Sequence, residues 1–170
     1  MQKILPGNKK ERRKTMPNKI QVSCHEETPH AGWMDVVASF IEKVLAHLDI
    51  DQWELSVLFC LDPYIAELNK QYRNIDGPTD ILSFEQGDEY VDDSDETWFS
   101  AGDLVVSLDS LASNAERFSV SRDEELKRLL IHGILHLDGL DHATNDPEEE
   151  MLLLQEKILD NFSDIQVIKE

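Results

Sequence analysis

Three histidines lie close together in residues 132–142, which read HGILHLDGLDH. His132 and His136 are four residues apart, so on a helix their side chains project from the same face, one turn apart. Gly139 is a suitable end for that helix, because glycine readily adopts the left-handed conformation of a helix terminus. The chain can then fold back and bring His142 towards the other two rings. Three imidazoles without a fourth protein ligand nearby predict an open metal site, which keeps a position for water or substrate.

An open metal site of this kind is typical of hydrolysis. Bound water can lose a proton near neutral pH, which supplies a nucleophile. The ligating imidazoles must be neutral, so their second ring nitrogens should donate to carboxylate or carbonyl oxygens. Four aspartates are candidates for this supporting role: Asp80, Asp103, Asp138 and Asp141. Asp141 is the strongest of them, because it flanks His142.

The histidine spacing is also that of the metzincin proteases. Those proteases carry a glutamate directly after the first histidine, and this glutamate is their general base. The equivalent position here is Gly133, whose side chain is a hydrogen atom and cannot accept a proton. The substitution argues against peptide hydrolysis by that mechanism.

Length and charge indicate one acidic domain. The chain has 170 residues, which is enough for a single hydrophobic core. Its net charge is −19. Six basic residues against one acidic residue give residues 1–15 a charge of +5, so the rest of the chain carries −24. We expect residues 1–16 to be a basic disordered leader or tag, and residues 17–170 to form the single domain. This acidity argues against a general nucleic-acid-coating surface.

Some function classes are excluded by what the sequence lacks. No run approaches the length of a membrane span. Cys24 and Cys60 have no metal-like spacing and indicate buried thiols in a reducing cytosol. Because residues 16–170 are so acidic, any RNA contact must use the basic tail at residues 1–15 or a local basic patch. One such patch is plausible where four cations fall in a short span: Arg117, Arg122, Lys127 and Arg128.

Hydrophobic periodicity predicts an α+β fold with a small mixed β-sheet packed against helices, and a metzincin-like helix–turn metal site. Strands are predicted at residues 19–24, 53–61, 79–84 and 104–106. Helices are predicted at residues 33–48, 62–73, 110–118, 121–139 and 146–162. Asp62 and Ser121 are predicted N-caps, and Asp146 with Pro147 opens the last helix. The acidic segment 85–97 is predicted to be a solvated, mobile loop.

Three segments resemble the YbeY family of bacterial metal-dependent endoribonucleases. The segments, in chain order, are residues 68–73 with 78–84 (LNKQYR and PTDILSF), residues 102–107 (GDLVVS) and residues 132–142. The resemblance extends over most of residues 20–160. It implies a single α+β domain that cleaves single-stranded RNA, including the 3′ end of small-subunit ribosomal RNA, during ribosomal RNA maturation and ribosome quality control.

The same resemblance implies the residues of the site and the setting. His132, His136 and His142 would bind one zinc ion, with water as the fourth ligand. Arg73, which matches an arginine of the family's cleft, and His136 would be the catalytic residues. The implied setting is the cytoplasm, with ribosomal small-subunit and maturation proteins as partners and with neither DNA nor a membrane.

Two alternatives remain open from the sequence. One is a metallopeptidase or amidohydrolase that uses the same three histidines. The other is a non-catalytic ribosome-assembly factor whose metal stabilises the fold. For the endoribonuclease, the sequence does not choose between an activated water and the RNA 2′-hydroxyl as the nucleophile.

Overall fold

The computed structural model describes residues 17–169, so the predicted leader at residues 1–16 lies outside the described residues. These residues form four strands and five α-helices, which confirms the α+β class. Their order is β1 (Lys19–Cys24), α1 (Val37–His47), β2 (Trp53–Cys60), α2 (Asp62–Arg73), β3 (Ile81–Val91), β4 (Thr97–Ser107), α3 (Leu108–Phe118), α4 (Arg122–Leu137) and α5 (Glu150–Asn161). A 3-10 helix, Gly32–Val36, precedes α1. Within residues 17–169, no helix has both the length and the hydropathy needed to cross a bilayer.

The four strands form one mixed sheet in the order β1-β2-β4-β3. β1 and β4 each pair with β2 in parallel, and β3 pairs with β4 antiparallel. β2 alternates between the two faces: Leu55, Val57 and Phe59 enter the main core, while Leu58 faces the other side. Because β3 ends the strand order, one of its edges is not paired within the described sheet.

Helices cover both faces of the sheet. The main core lies between one sheet face and the apolar sides of α1, α4 and α5. A smaller cluster on the opposite face packs α2 against β2, β3 and β4. Its buried members are Cys60, Ile65, Leu82 and Val105. α4 is the most enclosed helix, because its residues Leu130, Ile131 and Ile134 are all fully buried. The helix that carries the first two histidines is therefore held rigidly against the sheet.

The prediction of a mobile loop at residues 85–97 is wrong. These residues extend β3 and β4 into a long hairpin, and only Asp92–Glu96 form its turn. Asp92 holds the turn together: its carboxylate accepts hydrogen bonds from the N–H groups of Ser94 and Glu96 and from Nε1 of Trp98. Of the acidic residues, Glu85, Asp88 and Glu89 are therefore exposed on the edge strand β3, and the other four lie in the turn.

The predicted helix starts have mixed outcomes. Ser121 is the N-cap of α4, with its hydroxyl accepting from the N–H of Glu124 at 3.1 Å, as predicted. Asp62 is not an N-cap: it lies inside the first turn of α2 and accepts hydrogen bonds from the hydroxyls of Ser107 and Ser110. The last helix begins at Glu150 and not at Asp146, because residues 146–149 form a separate turn.

Candidate metal centre and cleft

The first two histidines lie near the carboxyl end of α4. His132 and His136 are one turn apart, and their Nε2 atoms are 3.1 Å from each other. α4 ends at Leu137. Gly139 follows with a φ of +87°, a left-handed conformation that residues with side chains rarely adopt. This reversal of the chain brings His142 back towards the helix, as the sequence predicts.

The three rings converge on one point. Their centroids are 4.6 Å apart for His132 and His136, and 5.2 and 5.3 Å from these two to His142. One nitrogen from each ring lies within 4.8 Å of the other two. Neutral imidazole nitrogen is a common protein ligand for transition metals. The trio could therefore hold one metal ion.

The hydrogen bonds of the rings test whether this donor set fits a cation. An oxygen acceptor faces each Nδ1 atom: Gln155 Oε1 for His132 at 2.7 Å, the Leu140 carbonyl for His136 at 3.0 Å and the Thr144 carbonyl for His142 at 2.8 Å. Because these oxygens can only accept, each neutral ring carries its proton on Nδ1 and presents a lone pair at Nε2. The Nε2 lone pairs of His132 and His136, 3.1 Å apart, repel each other unless positive charge lies between them. The donor set fits a cation.

The environment of His132 keeps this ring neutral. Burial lowers its pKa, and the neighbouring rings of His136 and His142 lower it further, although the hydrogen bond to Gln155 acts in the opposite direction. A metal binds only the unprotonated imidazole. His132 is therefore already in the binding form at neutral pH.

None of the four predicted aspartates supports an imidazole through its Nδ1 atom, so that prediction is wrong. Their main partners are the N–H of Ile81 for Asp80, the hydroxyl of Ser56 for Asp103 and the N–H of His142 for Asp141, while Asp138 follows the last residue of α4. Asp141 comes nearest, with Oδ1 4.0 Å from Nδ1 of His136, which is too far for a hydrogen bond. Two backbone carbonyls, of Leu140 and Thr144, and the side-chain oxygen of Gln155 take the role instead.

Gln155 is the supporting residue that the sequence analysis missed. It lies on α5 and is 6 % exposed. Its Nε2 donates to Glu156 at 2.9 Å, which orients Oε1 towards His132. Glu156 in turn accepts from Arg128 at 2.8 Å. The available signal was a glutamine one turn from Met151 and about one turn from Ile158, within the otherwise apolar inner stripe of the helix.

Arg73 shares a cleft with the histidines. The cleft has a volume of about 600 Å³. The residues that line it include Arg73, Ser83, Glu85, His132, His136 and Asp141. Nη2 of Arg73 donates to the carbonyl of Ser83 at 2.9 Å. This contact orients the guanidinium, and its other N–H groups have no hydrogen-bond partner within residues 17–169, so they can donate to a ligand. The structure therefore brings Arg73 to the same opening as His132 and His136.

Position 133 does not face the cleft. A Cβ on Gly133 would lie 2.7 Å from a methyl group of Leu104 and 3.0 Å from one of Ile81. The position therefore points towards the sheet, and a glutamate side chain at position 133 would displace core side chains. The glycine allows α4 to pack closely on β3 and β4, between two of the histidines. A general base from this position, as in the metzincins, is excluded.

The predicted basic patch on α3 and α4 is wrong for two of its four members. Lys127 is 3 % exposed and pairs with Asp123 at 3.0 Å. Arg128 is bound by the carboxylates of three glutamates, Glu124, Glu125 and Glu156. Neither side chain is available to a phosphate.

Comparison with known proteins gives a consistent result. The family model described as Endoribonuclease YbeY matches residues 19–163. A protein from Treponema denticola named Endoribonuclease YbeY is 53 % identical over 154 residues, which cover 91 % of this chain and 99 % of that protein. Proteins with the same name from Treponema pallidum and Borreliella burgdorferi are 51 % and 45 % identical, over 84 % and 74 % of this chain and 88 % and 84 % of theirs.

A solved structure shares the fold. The solution structure of a protein from Thermotoga maritima is 27 % identical in sequence and aligns with a TM-score of 0.59. The alignment covers 85 % of this chain and 90 % of that protein. The overall fold over this part of the chain is therefore also found in an experimentally determined structure.

Proposed function

The chain belongs to the endoribonuclease YbeY family, and on that premise we propose that it is a metal-dependent endoribonuclease that processes ribosomal RNA. The observation that carries the proposal is the arrangement of the cleft: three imidazoles converge on one point, and two of them, His132 and His136, line one opening with Arg73. We further propose that the substrate is single-stranded, at the 3′ end of small-subunit ribosomal RNA. We propose the cytoplasm as its setting, small-subunit and maturation proteins as its partners, and a part in ribosome quality control.

We propose zinc as the metal, held by His132, His136 and His142. Three imidazole nitrogens are the ligand set of an open catalytic zinc site. When bound, such an ion supplies Lewis acidity, which stabilises negative charge on oxygen and lowers the pKa of water. The protein contributes the orientation of the ligands, because each Nδ1–H is fixed by an acceptor oxygen and each Nε2 faces the centre.

We assign catalytic roles to Arg73 and His136. A guanidinium donates two parallel hydrogen bonds to phosphate oxygens, and its charge stabilises the additional negative charge of the transition state for phosphodiester cleavage. The carbonyl of Ser83 takes one N–H of Arg73, which orients the remaining donors without neutralising the charge. His136 lines the cleft with Arg73, and its position is set by α4 and by the carbonyl of Leu140.

The test compares two charge reversals on a single-stranded RNA substrate. Arg73→Glu should lower kcat/KM by about 100-fold or more, because it replaces a positively charged donor by a carboxylate that repels the negatively charged transition state. Lys43→Glu is the control: it reverses an exposed cation on α1 that neither lines the cleft nor belongs to the predicted basic patch, and it should leave kcat/KM within about threefold. Metal content, measured by elemental analysis, should be the same in all three proteins.

A chelator should abolish cleavage by the wild-type protein, and zinc should restore it. The chemical ends of the products identify the nucleophile, because a 2′,3′-cyclic phosphate shows attack by the RNA 2′-hydroxyl and its absence favours attack by water. Full cleavage by Arg73→Glu, or full cleavage in the presence of chelator, would contradict the proposal. Cleavage of a peptide library in place of RNA would favour a peptidase.

A further inference from the structure

The edge strand β3 separates two surfaces near the cleft. Its side chains alternate: Ile81 faces α4 beside Gly133, and Ser83 lines the cleft, whereas Phe84 packs with the cluster under α2. Leu82 belongs to that cluster and also contributes to the cleft lining. The histidine cleft therefore lies on one side of this strand, and Phe84 lies on the other. An RNA strand that leaves the cleft across the unpaired edge of β3 therefore passes from the histidine side of the strand to the Phe84 side.

Arg73 bridges these two surfaces. Its Nη2 atom donates to the Ser83 carbonyl at the strand, and its Cζ atom lies 5.7 Å from the ring centroid of Phe84. That separation is within the range of a cation–π contact. A phosphate bound by Arg73 would therefore lie between the histidine cleft and the aromatic side chains on α2 and β3.

An exposed aromatic ring lies beside this arginine. Tyr72 is 55 % exposed, although its ring packs edge to face against Phe84, with centroids 5.2 Å apart and an interplanar angle of 73°. Ile75, which follows α2, is 56 % exposed. Single exposed apolar side chains are common on protein surfaces. Here, however, the exposed ring is buttressed by a second ring and adjoins the cationic side chain of the cleft.

The charge of the chain favours a contact that does not depend on positive side chains. Lys70, the cation on the preceding turn of α2, pairs with Asp76 at 2.9 Å. Lys127 is buried, and Arg128 is bound by glutamates. Base stacking on an aromatic ring contributes affinity for single-stranded nucleic acid without any charge, and every base has a face that can stack.

We propose that Tyr72, supported by Phe84, is a stacking site for one unpaired nucleobase of the RNA whose phosphate contacts Arg73. This proposal rests on the proposed endoribonuclease function. The site would favour single-stranded RNA, because a base in a duplex is paired and is not free to stack on the ring.

The first experiment measures cleavage kinetics for ring variants. Tyr72→Ala should raise KM by about 5- to 150-fold with little change in kcat, because a contact outside the reacting centre stabilises ground state and transition state equally. Tyr72→Phe and Tyr72→Trp keep a ring and should restore the wild-type KM. Phe118→Ala is the matched control, since Phe118 is 56 % exposed and lies beside Arg117 but not in the cleft, and its KM should be unchanged.

The second experiment places an abasic nucleotide at successive positions of the RNA. In the wild-type protein, one position near the cleavage site should raise KM about as much as Tyr72→Ala does. In Tyr72→Ala, an abasic nucleotide at that position should have no further effect. Metal content and thermal unfolding show that the variant is folded.

The outcomes separate this site from the proposed function. Equal KM values for wild type and Tyr72→Ala, or additive effects of the variant and every abasic position, would overturn the stacking site while RNA cleavage stands. A wild-type protein that is loaded with metal and cleaves no RNA would overturn the proposed function and the stacking site with it.

Discussion

Replacing Gln155 by leucine should weaken metal binding without unfolding the protein. Leucine has a similar size and suits the buried surroundings, but it removes the oxygen that lies 2.7 Å from Nδ1 of His132. The Nδ1–H group would then be buried without an acceptor, which costs about 1–3 kcal/mol. The ring of the metal-free variant can avoid this cost by moving its proton to Nε2. Metal binding must then reverse that change of tautomer.

The expected loss follows from these energies. A cost of about 1–3 kcal/mol corresponds to a factor of about 5–150 in the dissociation constant. Loss of a hydrogen bond to a ligating histidine typically weakens metal affinity by about 10- to 100-fold. We therefore expect the dissociation constant of Gln155→Leu for zinc to rise by about 10- to 100-fold. The effect on the free energy of unfolding of the metal-free protein should be smaller, since no cavity is created.

The assay is a competition titration of zinc against a chromophoric chelator. Gln155→Glu is the control, because a glutamate retains an acceptor oxygen for the His132 Nδ1–H, and its affinity should stay within about tenfold of the wild type. Thermal unfolding of each metal-free protein checks the fold. If Gln155→Leu binds zinc within about twofold of the wild type, the argument that Gln155 fixes the His132 tautomer is refuted.

Three further predictions concern the fold. Gly102 has a φ of +139°, and a Cβ there would lie 2.0 Å from the Phe84 carbonyl oxygen. In denaturant titrations, Gly102→Ala should therefore lower the free energy of unfolding by about 2–5 kcal/mol. The control Gly32→Ala, at a position with open space, should change it by less than about 0.5 kcal/mol. The hydrogen bond from the N–H of Ser94, followed by other contacts, lowers the pKa of Asp92. The ionised Asp92 carboxylate therefore stabilises the fold fully above the unfolded pKa near 3.8, and this contribution is lost as pH falls through the lowered folded pKa. The difference in stability between the wild type and Asp92→Asn should disappear in acid. Burial raises the pKa of Cys60 to about 12, so mass spectrometry should show it unmodified by iodoacetamide at about pH 8 until the protein is unfolded.

The histidine site could be predicted because its geometry is local. The four-residue spacing of His132 and His136 fixes their relative position once a helix forms, and Gly139 allows the turn that returns His142. Each step involves residues close in sequence. The fold class was predictable for a similar reason, since the periodicity of each segment reports its own secondary structure.

Features that depend on distant segments were not predictable. Gln155 reaches His132 from a different helix, 23 residues further along the chain, and nothing in its local sequence indicates that contact. The sequence predicts a surface cation at Lys127, but the side chain is enclosed by the C-terminal segment and donates to the carbonyls of Phe162 and Ile165. Tertiary packing decides the environment of both side chains.

The acidic hairpin shows a second reason for failure. Residues 85–97 are rich in Asp and Glu, a composition typical of loops, yet β3 continues through them to Val91. An edge strand that faces solvent can carry charged side chains, because only its backbone must pair. The turn is stabilised by the Asp92 side chain, whose contacts with Ser94, Glu96 and Trp98 depend on the hairpin being formed.

The most direct test of the central claim is X-ray absorption at the zinc edge of the zinc-loaded protein. We predict three imidazole ligands and one further light-atom ligand at each zinc, with one zinc per chain by elemental analysis. A sulfur ligand, a fourth protein ligand that fills the coordination, or fewer than three imidazoles would contradict the open three-histidine site.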